Sequence, residues 1–237
     1  MNEERKFFIK VSLFIYFIWL LAFEAVGLYA VKLPTYDITS IIDKQIPLIP
    51  EFIWSYILCY VFPFLPLFVI KDWHRFNRAL LAIILSNLSA FIVYLTFPLA
   101  FPRPELGQSF SERMLSFEYW IDFYPGANKL PSLHVIFTWI VYLSSRRQRL
   151  NKLGDSIIFL VAVMITISAL FVKQHIIVDV IAGLFWAFTS WKLAGYLYGH
   201  LTTPHMNARN GLNQIVKKFY RFVLLYVAII FSVIWLR

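Results

Sequence analysis

The sequence predicts an all-α fold, a polytopic bundle of transmembrane helices. Hydrophobic residues make up 60% of the 237 residues and charged residues only 15%, and the mean hydropathy is +0.68. Several apolar stretches approach the length of about twenty residues that a helix needs to cross a bilayer. We therefore exclude an ordinary soluble domain and expect a single integral membrane domain over residues 1–237.

About seven spans are predicted, and three prolines should bend or end their helices. Pro63, Pro66 and Pro98 lack the backbone N–H that a helix interior needs. The first span is expected to be a retained helix, because no small-residue cleavage site follows it. The predicted spans are residues 7–31, 52–70, 79–101, 132–145, 155–172, 175–196 and 216–236.

The basic residues predict the orientation of the bundle. With a cytoplasmic N-terminus, thirteen Lys and Arg residues fall on the cytoplasmic side and seven on the other, as the positive-inside rule favours. The net charge of +9 then reflects topology, and nucleic acid is not expected as a partner. The single cysteine, Cys59, lies within a predicted span, which excludes an intramolecular disulfide and a cysteine metal cluster.

Two segments on the predicted outer side are long enough to have structure of their own. Residues 37–51 should lie along the membrane interface. In residues 108–124, Phe110, Met114 and Phe117 recur at helical spacing, which predicts an amphipathic helix at the membrane surface. This helix could be a lid or a guide for lipids, or it could simply rest among the headgroups.

Two polar interruptions, each at the start of a predicted span, contain a histidine. In the segment from Lys173 to Asp179, a helix beginning at His175 places Asp179 one turn further along the same face. A carboxylate in a membrane helix is costly unless it is paired, so we expect it to hold one imidazole nitrogen. The segment from Lys129 to His134 precedes an earlier span on the same predicted side.

These residue types are the ones that phosphoester chemistry needs. His175, oriented by Asp179, can attack phosphorus, while His134 can protonate the leaving oxygen and later activate an acceptor. The guanidinium of Arg103 matches phosphate oxygens. Ser132 and the N–H groups at the start of a helix can add further hydrogen bonds. This chemistry requires no metal and no other cofactor.

In their order along the chain, three of these segments resemble the signature of the type 2 phosphatidic acid phosphatase (PAP2) superfamily. They are Arg103-Pro104, Pro131-Ser132-Leu133-His134 and His175-x-x-x-Asp179. The resemblance covers about residues 35–196 and is closest to the branch of the fungal inositol phosphorylceramide synthases and many bacterial relatives. It implies a six-helix catalytic core that acts on a lipid phosphate among membrane lipids through a phosphohistidine, on the extracytoplasmic side.

The sequence departs from the family signature at two positions. A lysine of the first motif would fall at Thr96, and an arginine of the third motif would fall at Ala169. Both of these family residues normally bind phosphate oxygens. We therefore predict that Lys129 and Lys173 bind the substrate in their place.

Two alternative interpretations remain open. His134, His175 and Asp179 could ligate a divalent metal, although the lysine that precedes His175 would repel the ion. The departures from the signature also suggest a degenerate family member, or a transporter-like protein, that binds anionic lipid without turnover.

Two further features are given structural interpretations. Glu24 lies inside the first span and is expected to have a polar partner within the bundle. Trp54, Tyr56 and Trp73 lie near predicted helix ends and are assigned to the aromatic belt at the membrane interface.

Overall fold

The computed structural model describes residues 3–122, 126–148, 150–203 and 205–218. Regular structure in these ranges is helical, and pairing of extended chain is limited to isolated bridges. The helices are α1 (Glu3–Ala30), α2 (Ile41–Gln45), α3 (Ile53–Tyr56), α4 (Leu58–Val61), α5 (Pro66–Val69), α6 (Trp73–Thr96), α7 (Phe110–Ile121), α8 (Leu133–Ser145), α9 (Lys152–Phe171) and α10 (Ile177–Leu201). Residues 208–218 are also helical.

The prediction of an all-α membrane bundle is confirmed. Helices α1, α6, α9 and α10 are each long and apolar enough to cross a membrane, and α8 is a shorter apolar helix. The predicted surface helix is present as α7. The predicted last span, residues 216–236, lies almost wholly outside the described residues.

The second predicted span is not one continuous helix. Residues 50–69 form α3, α4 and α5; one 3₁₀ turn precedes α3 and another lies between α4 and α5. Pro63 and Pro66 each lie in the first turn of a helical segment, where a missing N–H leaves no hydrogen bond unmade. Helix α6 likewise ends at Thr96, two residues before Pro98. The predicted effect of the three prolines is confirmed.

Several helix ends lie close together at one end of the bundle. The segment after α1 pairs with the segment after α6 through Tyr36 and Leu99, and Leu99 also pairs with Asn128 just before α8. At the end of α9, the carbonyl of Phe171 accepts a hydrogen bond from Ile49 N–H. The ends of α1, α6 and α9 therefore lie beside the starts of α8 and α10.

Helices α8 and α10 approach each other closely near this end. A Cβ atom on Gly183 of α10 would lie 2.9 Å from the carbonyl oxygen of Ser132 and 2.9 Å from Cβ of Val135. Only a glycine leaves room for the two backbones at this distance. Ala187 and Ala194 continue the contact surface of α10 and are fully buried.

Candidate active site

The turn between α9 and α10 positions His175. Lys173 has a φ of +52°, and the N–H groups of Lys173 and Gln174 bond back to the carbonyls of Leu170 and Ala169. This hydrogen-bond pattern is a Schellman motif, which ends a helix and turns the chain. The reversal places His175 immediately before α10, with its side chain buried.

Ser132 connects the start of α8 to the start of α10. Its hydroxyl accepts from Val135 N–H and so caps α8, while its own N–H donates to the carbonyl of Asp179 at 3.2 Å. Ser132 therefore has a structural role as well, while its hydroxyl proton can still be donated, and its predicted phosphate contact stays a prediction. Ser132 aligns His134, two residues further along, with the N-terminal end of α10.

The two histidines and the aspartate form a chain of contacts. Nδ1 of His134 lies 3.2 Å from Nε2 of His175, and Nδ1 of His175 lies 3.2 Å from Oδ2 of Asp179. Asp179 is fully buried, and the same carboxylate oxygen accepts from Ile176 N–H at 3.1 Å. The beginnings of α8 and α10 therefore converge and bring the two imidazoles together.

Tyr56 is the next member of this chain. Its hydroxyl lies 2.9 Å from Nε2 and 3.1 Å from Nδ1 of His134, and the tyrosine is fully buried. When Nδ1 of neutral His175 donates to Asp179, Nε2 of His175 holds a lone pair. Nδ1 of His134 must then donate to that lone pair. Nε2 of His134 is left to accept from Tyr56. Assignment of Tyr56 to the aromatic belt was therefore wrong.

A second cluster contains two of the predicted phosphate-binding cations. Arg103 and Lys129 both form ion pairs with the carboxylate of Asp122. Both also donate to Oε1 of Gln174, at 2.8 Å and 3.0 Å. The sequence did not identify Asp122 or Gln174 as site residues, because neither is one of the signature residues of the family.

Burial and charge together determine the pKa values in this cluster. Burial lowers the pKa of Lys129 to about 8, although the nearby Asp122 opposes the shift. Burial alone would raise the pKa of Asp122, but the charges of Lys129 and Arg103 hold it below its ordinary value. Near neutral pH the cluster therefore contains two cations and one carboxylate.

The structure places Lys173 away from this cluster. Its ammonium donates to the backbone carbonyls of Asp43 at 3.0 Å and Ile46 at 2.5 Å, at the end of α2. The left-handed backbone at Lys173 directs the side chain toward α2, so Lys129, and not Lys173, lies with Arg103. The substrate contacts of the two lysines stay predictions. Of the two departure positions, Thr96 is exposed and Ala169 is buried within the Schellman motif.

Each histidine borders a larger space of its own, and both border a small space that Lys129 and Asp122 also line. His134 borders a largely apolar cavity of about 290 Å³, whereas His175 borders a cleft of about 610 Å³ whose charged residues are of both signs, among them Arg103, Lys173 and Asp43. Glu24 of α1 and Glu118 of α7 both line the apolar cavity. Tyr60 donates to Glu118 at 2.5 Å, and burial raises the pKa of Glu118.

The geometry does not favour the metal alternative. Asp179 contacts the nitrogen of His175 that faces away from His134, so the three side chains do not converge on one point. Within the described parts of the chain, no group of three or more His, Cys, Asp and Glu side chains is arranged to hold a metal ion.

Comparison with known proteins identifies the family. The profile described as the PAP2 superfamily matches residues 38–193, a range that includes both histidines and Asp179. Searches of curated proteins and of solved structures find no match. This chain therefore belongs to the PAP2 superfamily, whose members are generally phosphatase-type enzymes.

Proposed function

We propose that the protein is a lipid phosphatase or lipid phosphotransferase that works through a phosphohistidine on His175. The observation that carries this proposal is the contact chain from Asp179 through His175 to His134. Asp179 holds Nδ1, which directs the lone pair of Nε2 of His175 toward the other imidazole. A nucleophile oriented in this way beside an acid or base is the arrangement that covalent phosphoryl transfer requires.

In the first step, Nε2 of His175 attacks phosphorus, and the bond between phosphorus and the leaving oxygen breaks. Protonated His134 supplies the proton to this oxygen. In the second step, His134 removes a proton from the acceptor, which attacks phosphorus and releases His175. The acceptor is water in a phosphatase, and a lipid or inositol hydroxyl in a phosphotransferase.

Arg103 and Lys129 are proposed to bind the non-bridging phosphate oxygens, and Asp122 is their ion-pair partner when no phosphate is bound. Cations placed where charge develops lower the barrier for phosphoryl transfer. A phosphate group must compete with Asp122 for both cations. It must also part the two imidazole nitrogens, which lie only 3.2 Å apart.

The substrate is proposed to be a lipid phosphate that reaches the site at the extracytoplasmic face. The distribution of Lys and Arg supports this orientation, and the apolar cavity beside His134 supports a lipid. The resemblance of the segments around His134 and His175 to the inositol phosphorylceramide synthase branch favours transfer to an alcohol over hydrolysis.

The test uses purified protein in detergent and a panel of radiolabelled lipid phosphates. His175→Ala and His134→Ala should each abolish product formation, while the matched control His200→Ala should retain it, because His200 is exposed at the far end of α10. Full turnover in either active-site variant contradicts the mechanism. Turnover abolished by EDTA and restored by zinc or manganese contradicts its metal-free form.

The second candidate function is a degenerate family member that binds anionic lipid without turnover. The ion pairs of Asp122 with both phosphate-binding cations, together with Thr96 and Ala169 at the two departure positions, favour it. In the same assay, lipid binding that survives both histidine substitutions, with no product from any lipid, supports this candidate and contradicts the enzyme.

A further inference from the structure

The cavity beside His134 has mostly apolar walls. It is enclosed by α1, the broken segment of residues 50–69, α7 and α8, and Trp19, Phe23 and Phe137 are among its lining residues. Leu20 also lines it and is 38% exposed on the outer surface of α1. Its volume of about 290 Å³ is close to the lower end of the range of roughly 300–1,000 Å³ for ligand sites.

Carboxyl groups are prominent among the polar groups of this cavity, which also include Tyr60 and Asn128. Glu24 and Glu118 contribute carboxyl groups, and Asp122 reaches the same lining. Tyr60 donates to one oxygen of Glu118, and no described residue is found to donate a hydrogen bond to the side chain of Glu24. An acid on a membrane-spanning helix is costly without a partner, so a donor from a bound molecule would stabilise Glu24.

The charged groups differ between the space near the phosphate-binding cations and the cavity beside His134, so the two spaces favour different parts of a substrate. Arg103 and Lys129, the proposed phosphate-binding cations, both pair with Asp122. Lys129 and Asp122 border the small space that the two histidines share, where a phosphate group is attracted. The cavity beside His134 carries carboxyl groups instead, which repel an anion and accept from hydroxyl or ammonium donors. The phosphate therefore belongs beside Lys129 and the histidine pair, and the alcohol belongs in the cavity that Glu24 and Glu118 line.

We infer that the cavity binds a lipid alcohol with a second hydrogen-bond donor beside its reacting hydroxyl, and that Glu24 and Glu118 select for that donor. The reacting hydroxyl lies at His134, and the second donor bonds to the carboxyl groups. The hydrocarbon chain packs against Trp19, Phe23 and Phe137. The identity of the reacting hydroxyl rests on the proposed function, because His134 acts there as acid and base.

The experiment measures binding without any phosphoester. A dibrominated fatty alcohol quenches tryptophan fluorescence, and comparison with Trp19→Phe identifies the part of the quenching that arises in the cavity. Hexadecane-1,2-diol and hexadecan-1-ol, which differ by one hydroxyl, are then compared as competitors. In the wild-type protein, the diol should displace the quencher at about tenfold lower concentration, as one hydrogen bond to a carboxylate permits.

The ratio of the two displacing concentrations, hexadecan-1-ol over the diol, should fall toward one in Glu24→Gln and in Glu118→Gln. Each change keeps the side-chain shape and removes the charge. Glu51→Gln is the matched control, because Glu51 is exposed and outside the cavity, and should keep the full ratio. A fall in either cavity variant supports the inference. Equal displacement by both alcohols in the wild type, an unchanged ratio in both cavity variants, or no quenching assigned to Trp19 overturns it.

A repeat in His175→Ala separates this inference from the proposed function. Retained preference for the diol, with no phosphoester turnover by the wild-type protein, leaves the binding site standing and rejects the enzyme. Turnover by the wild-type protein without any preference for the diol rejects the alcohol site alone.

Discussion

At the scale of single residues, the proposed chemistry depends on which nitrogen of each histidine holds a proton. One assignment of protons satisfies all the contacts of this chain of side chains. Tyr56 donates to His134, which donates to His175, which in turn donates to Asp179. In this chain the lone pair of Nε2 of His175 accepts from His134, and it becomes available for attack once a phosphate group parts the two imidazoles. Tyr56 is thus expected to orient His134 without touching the reacting phosphorus.

Tyr56→Phe tests this positioning role. Loss of the hydroxyl leaves Nε2 of His134 without its donor, so we expect kcat to fall about tenfold while KM changes little. Steady-state kinetics on a lipid phosphate provide the measurement. Tyr142→Phe, toward the other end of α8, is the control, and equal rates for the Tyr56 variant and this control would exclude a role in turnover.

Lys129 predicts a pH dependence of substrate binding. Because its pKa is lowered to about 8, the ammonium is charged below that pH and neutral above it, and the attraction for phosphate is lost as pH rises. KM should therefore increase roughly tenfold across this range. In Lys129→Arg the guanidinium stays charged, so the increase should disappear when KM is measured on either side of pH 8. An increase that persists in this variant rules out Lys129 as its source.

At the scale of secondary structure elements, the site exists because α8 and α10 begin side by side. Gly183 permits the close backbone approach, and the hydrogen bond from Ser132 N–H to the carbonyl of Asp179 fixes the two helix starts relative to each other. Helix α7 then carries Glu118 toward the cavity and Asp122, at its C-terminal end, toward the cations.

Gly183→Ala tests this packing. The new Cβ would lie 2.9 Å from the carbonyl oxygen of Ser132 and from Cβ of Val135, so the helices must separate. Overpacking of this kind costs about 1–3 kcal/mol, and both the unfolding temperature and kcat should fall. Gly199→Ala, in the same helix with no neighbouring atom within 4 Å of the new Cβ, should leave both values close to wild type. If the two variants behave alike, close packing at Gly183 is unimportant.

At the scale of the whole molecule, the alternating direction of the helices puts the candidate site at one end of the bundle. Arg75, at the start of α6, bonds to the carbonyls of Leu143 and Ser144 at the other end of α8. The same opposite end includes the start of α9 and its basic loop. The orientation of the bundle in the membrane therefore decides which compartment the site faces.

Cysteine labelling of intact cells tests the proposed orientation. The native Cys59 is buried, so labelling of an introduced cysteine can be detected with little background labelling of Cys59. We expect a membrane-impermeant maleimide to label Glu105→Cys, near the site, in intact cells and to label Lys152→Cys only after lysis, since both positions are exposed. The reverse pattern places the site on the cytoplasmic side.

Features that depend on neighbouring residues could be predicted from the sequence. Apolar run length predicted the helices, and proline chemistry predicted the breaks around residues 62–66. The four-residue spacing predicted the contact of His175 with Asp179, although the helix begins at Ile177 and not at His175 as expected. The order of the three signature segments also indicated the superfamily, which the match over residues 38–193 establishes.

Only the folded chain decided which distant side chains meet, because such contacts depend on how separate helices pack. Tyr56 precedes its partner His134 by 78 residues, and no local pattern connects them. Asp122 joins Arg103 and Lys129 only because α7 folds back over the site. Lys173 looked equivalent to Lys129 along the chain, but the left-handed backbone at the end of α9 sends it to α2. Local spacing is set by covalent geometry, whereas the choice among cations is set by packing.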